Sequence, residues 1–382
     1  MFAPRFFCRR FPLAVALVLT SAAVARAQST IPQRLTDKEL WQLNASMSEP
    51  NGYFRSDNLL SNETGFQAVI PSLRERIKPG GVYLGVGPEQ NFTYIVALQP
   101  KIAFIVDIRR GNMLEHLMYK ALIESSSDRA YFLSKLFSRP RPAGLDSNST
   151  APQLFAAYAS AASDSTLYHK NLAALRRQLT EGHGFALDDS DSKGIEYVYY
   201  AFFDAGPELT YNYPNGNFGG GFGRGMPTYA TLQQATDTAG KNWAFLATEA
   251  NFRWLKDFES KNLLVPVVGD FGGPKAIRSV GQYVKDHHAV VTAIYTSNVE
   301  QYLFQSDGAW SRYYKNVETL PLDSTSTFIR SIGAFRGYYS PTTPAARYGG
   351  RLASVTSSVQ ALLKAFDAGA IMSYGDVIAM SR

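Results

Sequence analysis

The chain has 382 residues, of which 45% are hydrophobic, and its formal net charge is +6 at pH 7. This length is enough for one large domain or two ordinary ones. Four of the positive charges are arginines in the segment from Met1 to Ala27, which contains no acid, so the chain from Gln28 onward carries a net charge of only +2. The composition therefore gives no indication of a nucleic-acid partner.

The segment from Met1 to Ala27 has the pattern of a signal peptide. Three arginines, Arg5, Arg9 and Arg10, precede an apolar segment at residues 11–18, which is too short to span a membrane, and Ala25-Arg26-Ala27 matches an A-x-A cleavage site. We expect cleavage before Gln28, export to the periplasm or the medium, and no membrane span in the mature protein. An uncleaved leader that acts as an anchor is the alternative.

The cysteine and histidine patterns argue against several kinds of site. The single cysteine, Cys8, lies in the leader, so the mature chain would have no disulfide, thiolate metal site or cysteine nucleophile. The five histidines show no metal-ligand spacing, and we expect no metal site.

Residues 80–112 (GGVYLGVGPEQNFTYIVALQPKIAFIVDIRRGN) predict the first half of a nucleotide-binding βαβ unit. An apolar strand ends at Gly85-Val86-Gly87, a helix follows at residues 91–98, and a second apolar strand spans residues 102–108. Asp107 follows Gly87 at the distance along the chain that is typical of an acid that binds ribose hydroxyls. Gln90 stands where the dinucleotide motif has its third glycine. The alternative is an ordinary buried strand with a tight turn.

The N-terminal part of the mature chain combines a predicted helix at residues 35–47 with a polar segment at residues 48–66. This segment has more hydrogen-bonding groups than a plain linker needs, namely Arg55, Asp57, Asn58, Asn62 and Glu63. One interpretation is a solvated loop that leads to a helix at residues 67–77. The other is a segment that folds over a ligand crevice.

Residues 125–242 fit no simple alternation of strands and helices, and we predict that they form a mainly helical or irregular, cap-like insertion. Residues 151–179 are expected to be helical, and residues 195–203 are aromatic and apolar. Residues 215–225 contain six glycines, which is typical of a disordered tip or a mobile lid.

Regular alternation resumes after the insertion. Apolar strands are predicted at residues 263–268 and 289–295, a later strand at residues 327–332, and helices at residues 242–260 and 275–286. Continuous apolar strands separated by helices predict an α/β fold: a mostly parallel, Rossmann-like sheet with helices on both faces. The carboxyl ends of such strands share one edge, where ligands bind.

Three strand ends, at Gly85-Val86-Gly87, Asp107 and Asp270-Phe271, together resemble class I S-adenosylmethionine-dependent methyltransferases. The resemblance covers residues 70–112 and 243–340. It implies that Gly85, Gly87 and the neighbouring Glu89 meet the amino acid part of S-adenosylmethionine. It also implies that Asp107 meets the ribose and that Asp270 with Phe271 meets the adenine.

The residues after the fourth strand, Ser297-Asn298-Val299-Glu300, stand where methyltransferases carry substrate-facing or catalytic residues, although an N-P-P-Y motif is absent. On that interpretation Asn298 orients an acceptor and Glu300 accepts a proton. The alternative is that Asn298 caps the next helix and Glu300 complements its dipole. More closely, YLGVGPEQNFTYI, VDIRRGN, VVGDFGGPKA and SNVEQYLF resemble an uncharacterised bacterial family with this methyltransferase-like fold.

Two functions are compatible with these patterns. One is an exported S-adenosylmethionine-dependent methyltransferase, and the other is a non-catalytic protein of the same fold that binds a nucleoside or another small ligand. Tyr83 replaces the acid that usually precedes the methyltransferase glycines, and Glu89 replaces the third glycine. S-adenosylmethionine is also not expected outside the cytoplasm, so catalysis is the less supported of the two.

Overall fold

The computed structural model describes residues 1–2, 29–211, 213–214, 226–333 and 352–381. These residues form a six-stranded sheet with the order β3-β2-β1-β4-β5-β6. Its strands are β1 (Val82–Gly85), β2 (Ile102–Asp107), β3 (Leu264–Val268), β4 (Val291–Ser297), β5 (Thr327–Gly333) and β6 (Leu352–Ser358). The first five strands are parallel, and β6 pairs antiparallel with β5. The sheet is flanked by helices, which confirms the predicted Rossmann-like α/β fold.

Fifteen α-helices fall within the described residues. They are α1 (Asp37–Met47), α2 (Ile70–Arg76), α3 (Gln90–Leu98), α4 (Arg110–Glu124), α5 (Arg129–Phe137), α6 (Ala151–Ser160), α7 (Ser165–Arg177), α8 (Asp189–Ala205), α9 (Tyr229–Gln234), α10 (Glu249–Ser260), α11 (Ala276–Asp286), α12 (Val299–Leu303), α13 (Ala309–Val317), α14 (Val359–Asp367) and α15 (Tyr374–Ala379).

The strand order places a topological switch point beside β1. The chain runs outward from β1 to β2 and β3, and then returns to add β4 on the other side of β1. All residues of β1, β2 and β3 are buried, as expected for parallel strands that are covered on both faces. Loops from the two halves of the sheet diverge at the carboxyl ends of these strands, and a crevice forms there.

Two helix predictions differ from the structure because polar residues cap helices inside the predicted ranges. The helix expected at residues 151–179 is divided into α6 and α7, since Asp164 accepts a hydrogen bond from the Leu167 N–H (3.0 Å) and starts a new helix. The helix expected at residues 242–260 begins only at Glu249, because Thr248 caps it through the Asn251 N–H (3.1 Å). Capping hydroxyls and carboxylates thus override the apolar pattern.

The insertion at residues 125–242 is mainly helical where it is described, and α8 packs against α4 of the sheet layer. Arg110 at the start of α4 pairs with Asp191 of α8, with 2.7 Å between Nη2 and Oδ2. The glycine-rich stretch and residues 3–28 of the leader lie outside the described residues. Over the described ranges, no helix is both long enough and apolar enough to cross a bilayer.

Candidate functional site

A crevice of about 580 Å³ lies at the carboxyl ends of β1, β2, β3 and β4. Five of the predicted site residues line it: Gly87, Asp107, Asp270, Phe271 and Asn298. The other three predicted residues, Gly85, Glu89 and Glu300, are not among the lining residues. The structure therefore brings one residue or more from each of four strand ends into a single cavity.

The glycine turn after β1 is held by side chains that the sequence analysis did not identify. The Asn91 amide donates hydrogen bonds to the carbonyls of Val86 (2.9 Å), Gly87 (3.1 Å) and Pro88 (2.7 Å). The His116 Nε2 lies 2.9 Å from the same Gly87 oxygen. Burial lowers the His116 pKa to about 4, so the ring is neutral at pH 7 and Nε2–H donates. The turn is therefore fixed before any ligand arrives.

The two glycines of this turn have different roles. Gly87 has a φ of +78°, in the left-handed region that favours glycine, and it lines the crevice. A Cβ at Gly85 would lie 2.1 Å from Asn91 Oδ1, so this glycine makes room for the asparagine that holds the turn. The expected direct contact of Gly85 with a ligand is replaced by this packing role.

Glu89 is completely buried where α3 begins, and both of its carboxylate oxygens lack a hydrogen-bond partner among the described residues. Burial raises its pKa to about 8, although the nearby backbone N–H groups of Glu89 and Ser61 oppose this shift. The side chain is therefore mostly neutral at pH 7. Glu89 is not among the residues that line the crevice, so the expected contact with the amino acid part of a ligand is corrected.

Asp107 is buried and orients the neighbouring Arg109. Asp107 Oδ1 accepts hydrogen bonds from the Arg109 backbone N–H (2.9 Å) and Nε (3.2 Å), and Oδ2 accepts from Nη2 (3.2 Å). The first N–H of α4, that of Arg110, is instead capped by Asn51 (2.7 Å). The alternative that Asp107 merely caps this helix is therefore wrong. A carboxylate has about four acceptor sites, so Asp107 keeps roughly one for a ligand.

The loop after β3 presents Asp270 to the crevice and uses Phe271 as support. Asp270 Oδ1 accepts the Gly272 N–H at 2.9 Å, which closes a tight turn. The Phe271 ring is 4% exposed and stacks on Tyr313, with 5.4 Å between ring centroids. Phe271 therefore has little exposed surface with which to contact a ligand, whereas Asp270 is only partly buried.

Asn298 and Glu300 separate at the end of β4. Asn298 precedes α12 without a side-chain cap hydrogen bond and lines the crevice, so the capping alternative is wrong for this residue. Glu300 is 1% exposed, accepts a hydrogen bond from the Tyr314 hydroxyl (2.7 Å) and forms an ion pair with the buried Arg330 (3.0 Å between Oε1 and Nη2). Glu300 therefore faces the core, and the expectation that it shares the crevice with Asn298 is corrected.

Residues 48–66, here called the strap, confirm the prediction of a segment that folds over the crevice. The Glu49 carboxylate accepts hydrogen bonds from the backbone N–H groups of Lys275 (2.7 Å), Ala276 (2.9 Å) and Asp270 (3.0 Å). It thereby caps α11, whose own N-cap residue, Lys275, makes no side-chain hydrogen bond to the helix. Asn51 of the strap does the same for α4. The strap thus provides acceptors for unpaired N–H groups at the N-termini of two helices that border the crevice.

The middle of the strap forms one wall of the crevice. Arg55 donates a hydrogen bond to the Tyr302 hydroxyl (3.1 Å), and the Phe54 ring meets the Tyr302 ring edge-on with 5.1 Å between centroids. Tyr211 of the insertion also lines the cavity. The lining carries three guanidinium groups and three carboxyl groups, which come from Arg55, Arg109, Arg312, Glu63, Asp107 and Asp270.

Comparison with protein families gives one match. A family model described as "Domain of unknown function (DUF7790)" matches residues 59–196 and 220–366, which together make up more than half of the chain. The chain belongs to this family. The matched stretches include β1 to β5 and the loops at the crevice from Leu59 onward. A comparison with curated proteins gives no match. The family description assigns no activity, so the function has to be argued from the crevice.

Proposed function

We propose that this protein binds a small molecule in the crevice, and that the ligand is an S-adenosyl compound or a related nucleoside. The main support for this proposal is the position of the cavity at the topological switch point, with Gly87, Asp107 and Asp270 together in its lining. Its volume of about 580 Å³ lies within the usual range for small-ligand sites.

Three features of the crevice support a nucleoside as the ligand. Asp107 retains acceptor capacity for a ribose hydroxyl, and Asp270 is placed one strand further along the same edge. Gly87 lets the ligand approach the backbone closely. When bound, S-adenosylmethionine would supply an electrophilic methyl group. The chain would contribute its binding and orientation.

Methyl transfer is a second candidate function, and one observation favours it. The Asn298 side chain is not used as a helix cap and lines the crevice beyond the glycine turn, where it is available to orient an acceptor. Glu300 forms a buried ion pair with Arg330, so we do not include it in this proposal. Turnover of an acceptor would distinguish an enzyme from a binding protein.

Calorimetry with S-adenosylhomocysteine tests the binding proposal. A hydrogen bond to a charged group contributes about 1.5–3 kcal/mol, so Asp107→Asn should weaken binding roughly ten- to one-hundred-fold. Asp257→Asn, at an exposed aspartate of α10, is the matched control and should bind as the parent does. No binding to the parent, or equal binding to both variants, would contradict the proposal.

We further propose that the protein acts after export, on the basis of the basic, apolar and A-x-A regions that follow one another between Met1 and Ala27. N-terminal sequencing of the native protein should begin at Gln28. Recovery of Met1 on protein from the cytoplasm would refute export, and it would also remove the argument that S-adenosylmethionine is not supplied.

A further inference from the structure

Two buried polar side chains that line the crevice bind the same tyrosine of β4. Glu63 of the strap is 2% exposed and Gln90 at the start of α3 is 3% exposed, yet both line the cavity. They converge on the hydroxyl of Tyr295. Gln90 Nε2 donates to this hydroxyl (2.8 Å), and the hydroxyl donates to Glu63 Oε1 (2.8 Å).

Each of these side chains keeps one atom without a hydrogen-bond partner among the described residues. Glu63 Oε1 accepts from both Tyr295 and the Ser297 hydroxyl, whereas Oε2 has no partner. Gln90 uses its amino group on Tyr295, and its Oε1 has no partner. Native proteins rarely leave buried polar atoms unpaired, and unpaired atoms on two residues that line the same cavity point to a ligand or to water.

The backbone beside this pair is strained. Ser297 has a φ of 50°, which is uncommon for a residue other than glycine, and the register between β4 and β5 shifts between Tyr295 and Ser297. The strained conformation places the Ser297 hydroxyl on Glu63 Oε1. Strain of this kind concentrates at functional sites, and it is an observation independent of the unpaired atoms.

We propose that Glu63 and Gln90 recognise a neutral amide-type group of the ligand, in which a hydrogen-bond acceptor and a donor are adjacent. Glu63 Oε2 donates its proton to the acceptor of that group, such as a carbonyl oxygen. Gln90 Oε1 accepts a hydrogen from its N–H. This inference rests on the proposed binding of a small molecule in the crevice, and it names one chemical feature of that molecule.

The pattern of hydrogen bonds assigns the proton of Glu63. Because Oε1 already accepts two hydroxyl hydrogens, it acts as the carbonyl oxygen, and a proton on the acid resides on Oε2. Burial raises the Glu63 pKa, and the nearby hydroxyl groups of Ser297, Tyr295 and Ser331 only partly offset the rise. A primary amide complements this neutral pair, whereas a carboxylate lacks the N–H and an amidinium lacks the acceptor.

The titratable groups that face Glu63 are Tyr83, Tyr94, Tyr295 and Glu89. The tyrosine pKa values are raised well above 10, so these side chains do not titrate near neutral pH. Binding of an amide should be complete below the Glu63 pKa and should be lost as the pH rises through it. Glu89 also titrates, with a pKa of about 8, so the pH effect of Glu63 is taken as the difference between the parent and Glu63→Gln.

Benzamide, benzoate and benzamidine share one shape and differ in charge. Ligand-observed NMR on the full mature chain measures their binding at the lowest pH at which the chain is folded and benzoate is ionised. Benzamide should bind most tightly. A neutral hydrogen bond corresponds to roughly three- to tenfold in affinity, so benzoate should be weaker by at least that factor. Equal binding of all three probes, tightest binding of benzamidine, or no binding of any probe would overturn the proposal.

Two substitutions test whether Glu63 binds the ligand as a neutral acid or as an ionised carboxylate. Glu63→Gln keeps an acceptor for Tyr295 and Ser297 and a donor for the ligand, so benzamide affinity should stay within about threefold and lose its pH dependence. Gln90→Leu should weaken benzamide roughly three- to tenfold. The matched control is Glu259→Gln, a buried glutamate of α10 that is outside the crevice lining. Loss of benzamide binding in Glu63→Gln, with the fold intact by circular dichroism, would show that an ionised carboxylate is needed and would refute the proposal.

Failure of this inference can be distinguished from failure of the proposed function. S-adenosylhomocysteine binding that depends on Asp107, without a preference for benzamide, would refute only the amide-type contact. A preference for benzamide that depends on Gln90, without S-adenosylhomocysteine binding, would refute only the nucleoside assignment.

Discussion

At the residue scale, Asn298 and Glu300 show how neighbours at one strand end acquire different roles. Glu300 is enclosed with Arg330 and Tyr314, and its charge is balanced inside the core. Asn298 makes no cap bond and faces the crevice. In the sequence, helix capping was enough to explain both residue types. Only the ion pair of Glu300 with Arg330 of β5 shows that Glu300 faces the core and not the crevice.

Substitutions at these two positions should therefore have opposite effects. Glu300→Gln leaves the buried Arg330 without its ion partner, and such a change costs about 3–5 kcal/mol in the free energy of unfolding. Its effect on ligand affinity at a fully folded temperature should be small. Asn298→Ala should change stability by less than about 0.5 kcal/mol, as for a surface position, and should weaken ligand or acceptor binding.

Urea denaturation and calorimetry on both variants provide the two measurements, with Asn148→Ala in an exposed loop as the control for Asn298→Ala. A loss of about 1 kcal/mol for Asn298→Ala with unchanged binding would restore the capping interpretation.

At the element scale, the strap connects the helices that border the crevice. Its first part is fixed by Glu49 and Asn51 on the ends of α11 and α4, and by a hydrogen bond from the Gly52 N–H to the Ile108 carbonyl (2.8 Å). Its last part is fixed by Glu63 and by the Tyr94 hydroxyl on the Phe66 carbonyl (2.8 Å). The strap between these ends is therefore held as a wall of the crevice and is not a free loop.

Removal of the Glu49 carboxylate should loosen this wall. Hydrogen bonds to a charged group contribute about 1.5–3 kcal/mol, so Glu49→Ala should reduce the free energy of unfolding by about that amount. Hydrogen exchange should also accelerate at the amides of Lys275 and Ala276, which lose their acceptor. Glu318→Ala, which breaks a surface ion pair with Lys315, is the control and should cost less than about 1 kcal/mol. Unchanged exchange in Glu49→Ala would contradict the capping role of the strap.

The elements that sequence patterns predicted are those whose burial is uniform. The strands β1 to β3 were found because parallel strands that are covered on both faces are apolar along most of their length. In β4 and β5, shorter apolar runs between polar residues were enough to predict a strand. The edge strand β6 was missed because serine and threonine alternate with its apolar residues, so it lacks a continuous apolar run. Helix ends were misplaced where Asp164 and Thr248 act as caps.

At the scale of the whole molecule, the crevice is assembled from distant parts of the chain. Gly87, Asp107, Asp270 and Asn298 were predictable because the ends of parallel strands meet at one edge. The pairing of Glu63 with Tyr295 and the contribution of Tyr211 to the lining were not, because no local pattern records contacts over such separations. The one indication in the sequence was the large number of polar side chains in the strap, which include Glu63.

The insertion is tied to the sheet layer by buried polar contacts. Arg129 of α5 is 2% exposed and donates hydrogen bonds to the carbonyls of Leu246 (3.0 Å) and Ser149 (2.7 Å). It also pairs with Glu249 at the start of α10 (3.2 Å). These bonds connect the beginning of the insertion to the segment that follows it and to α10, which leads back into the sheet.

The most direct test of the central claim is mass spectrometry of the small molecules released when protein purified from its native compartment is denatured. We predict that the parent releases a compound containing a nucleoside, and that Asp107→Asn, purified in the same way, releases much less of it because a hydrogen bond to the ribose is lost. Release of no nucleoside from the parent, or equal release from both proteins, would contradict the claim that this crevice binds a nucleoside.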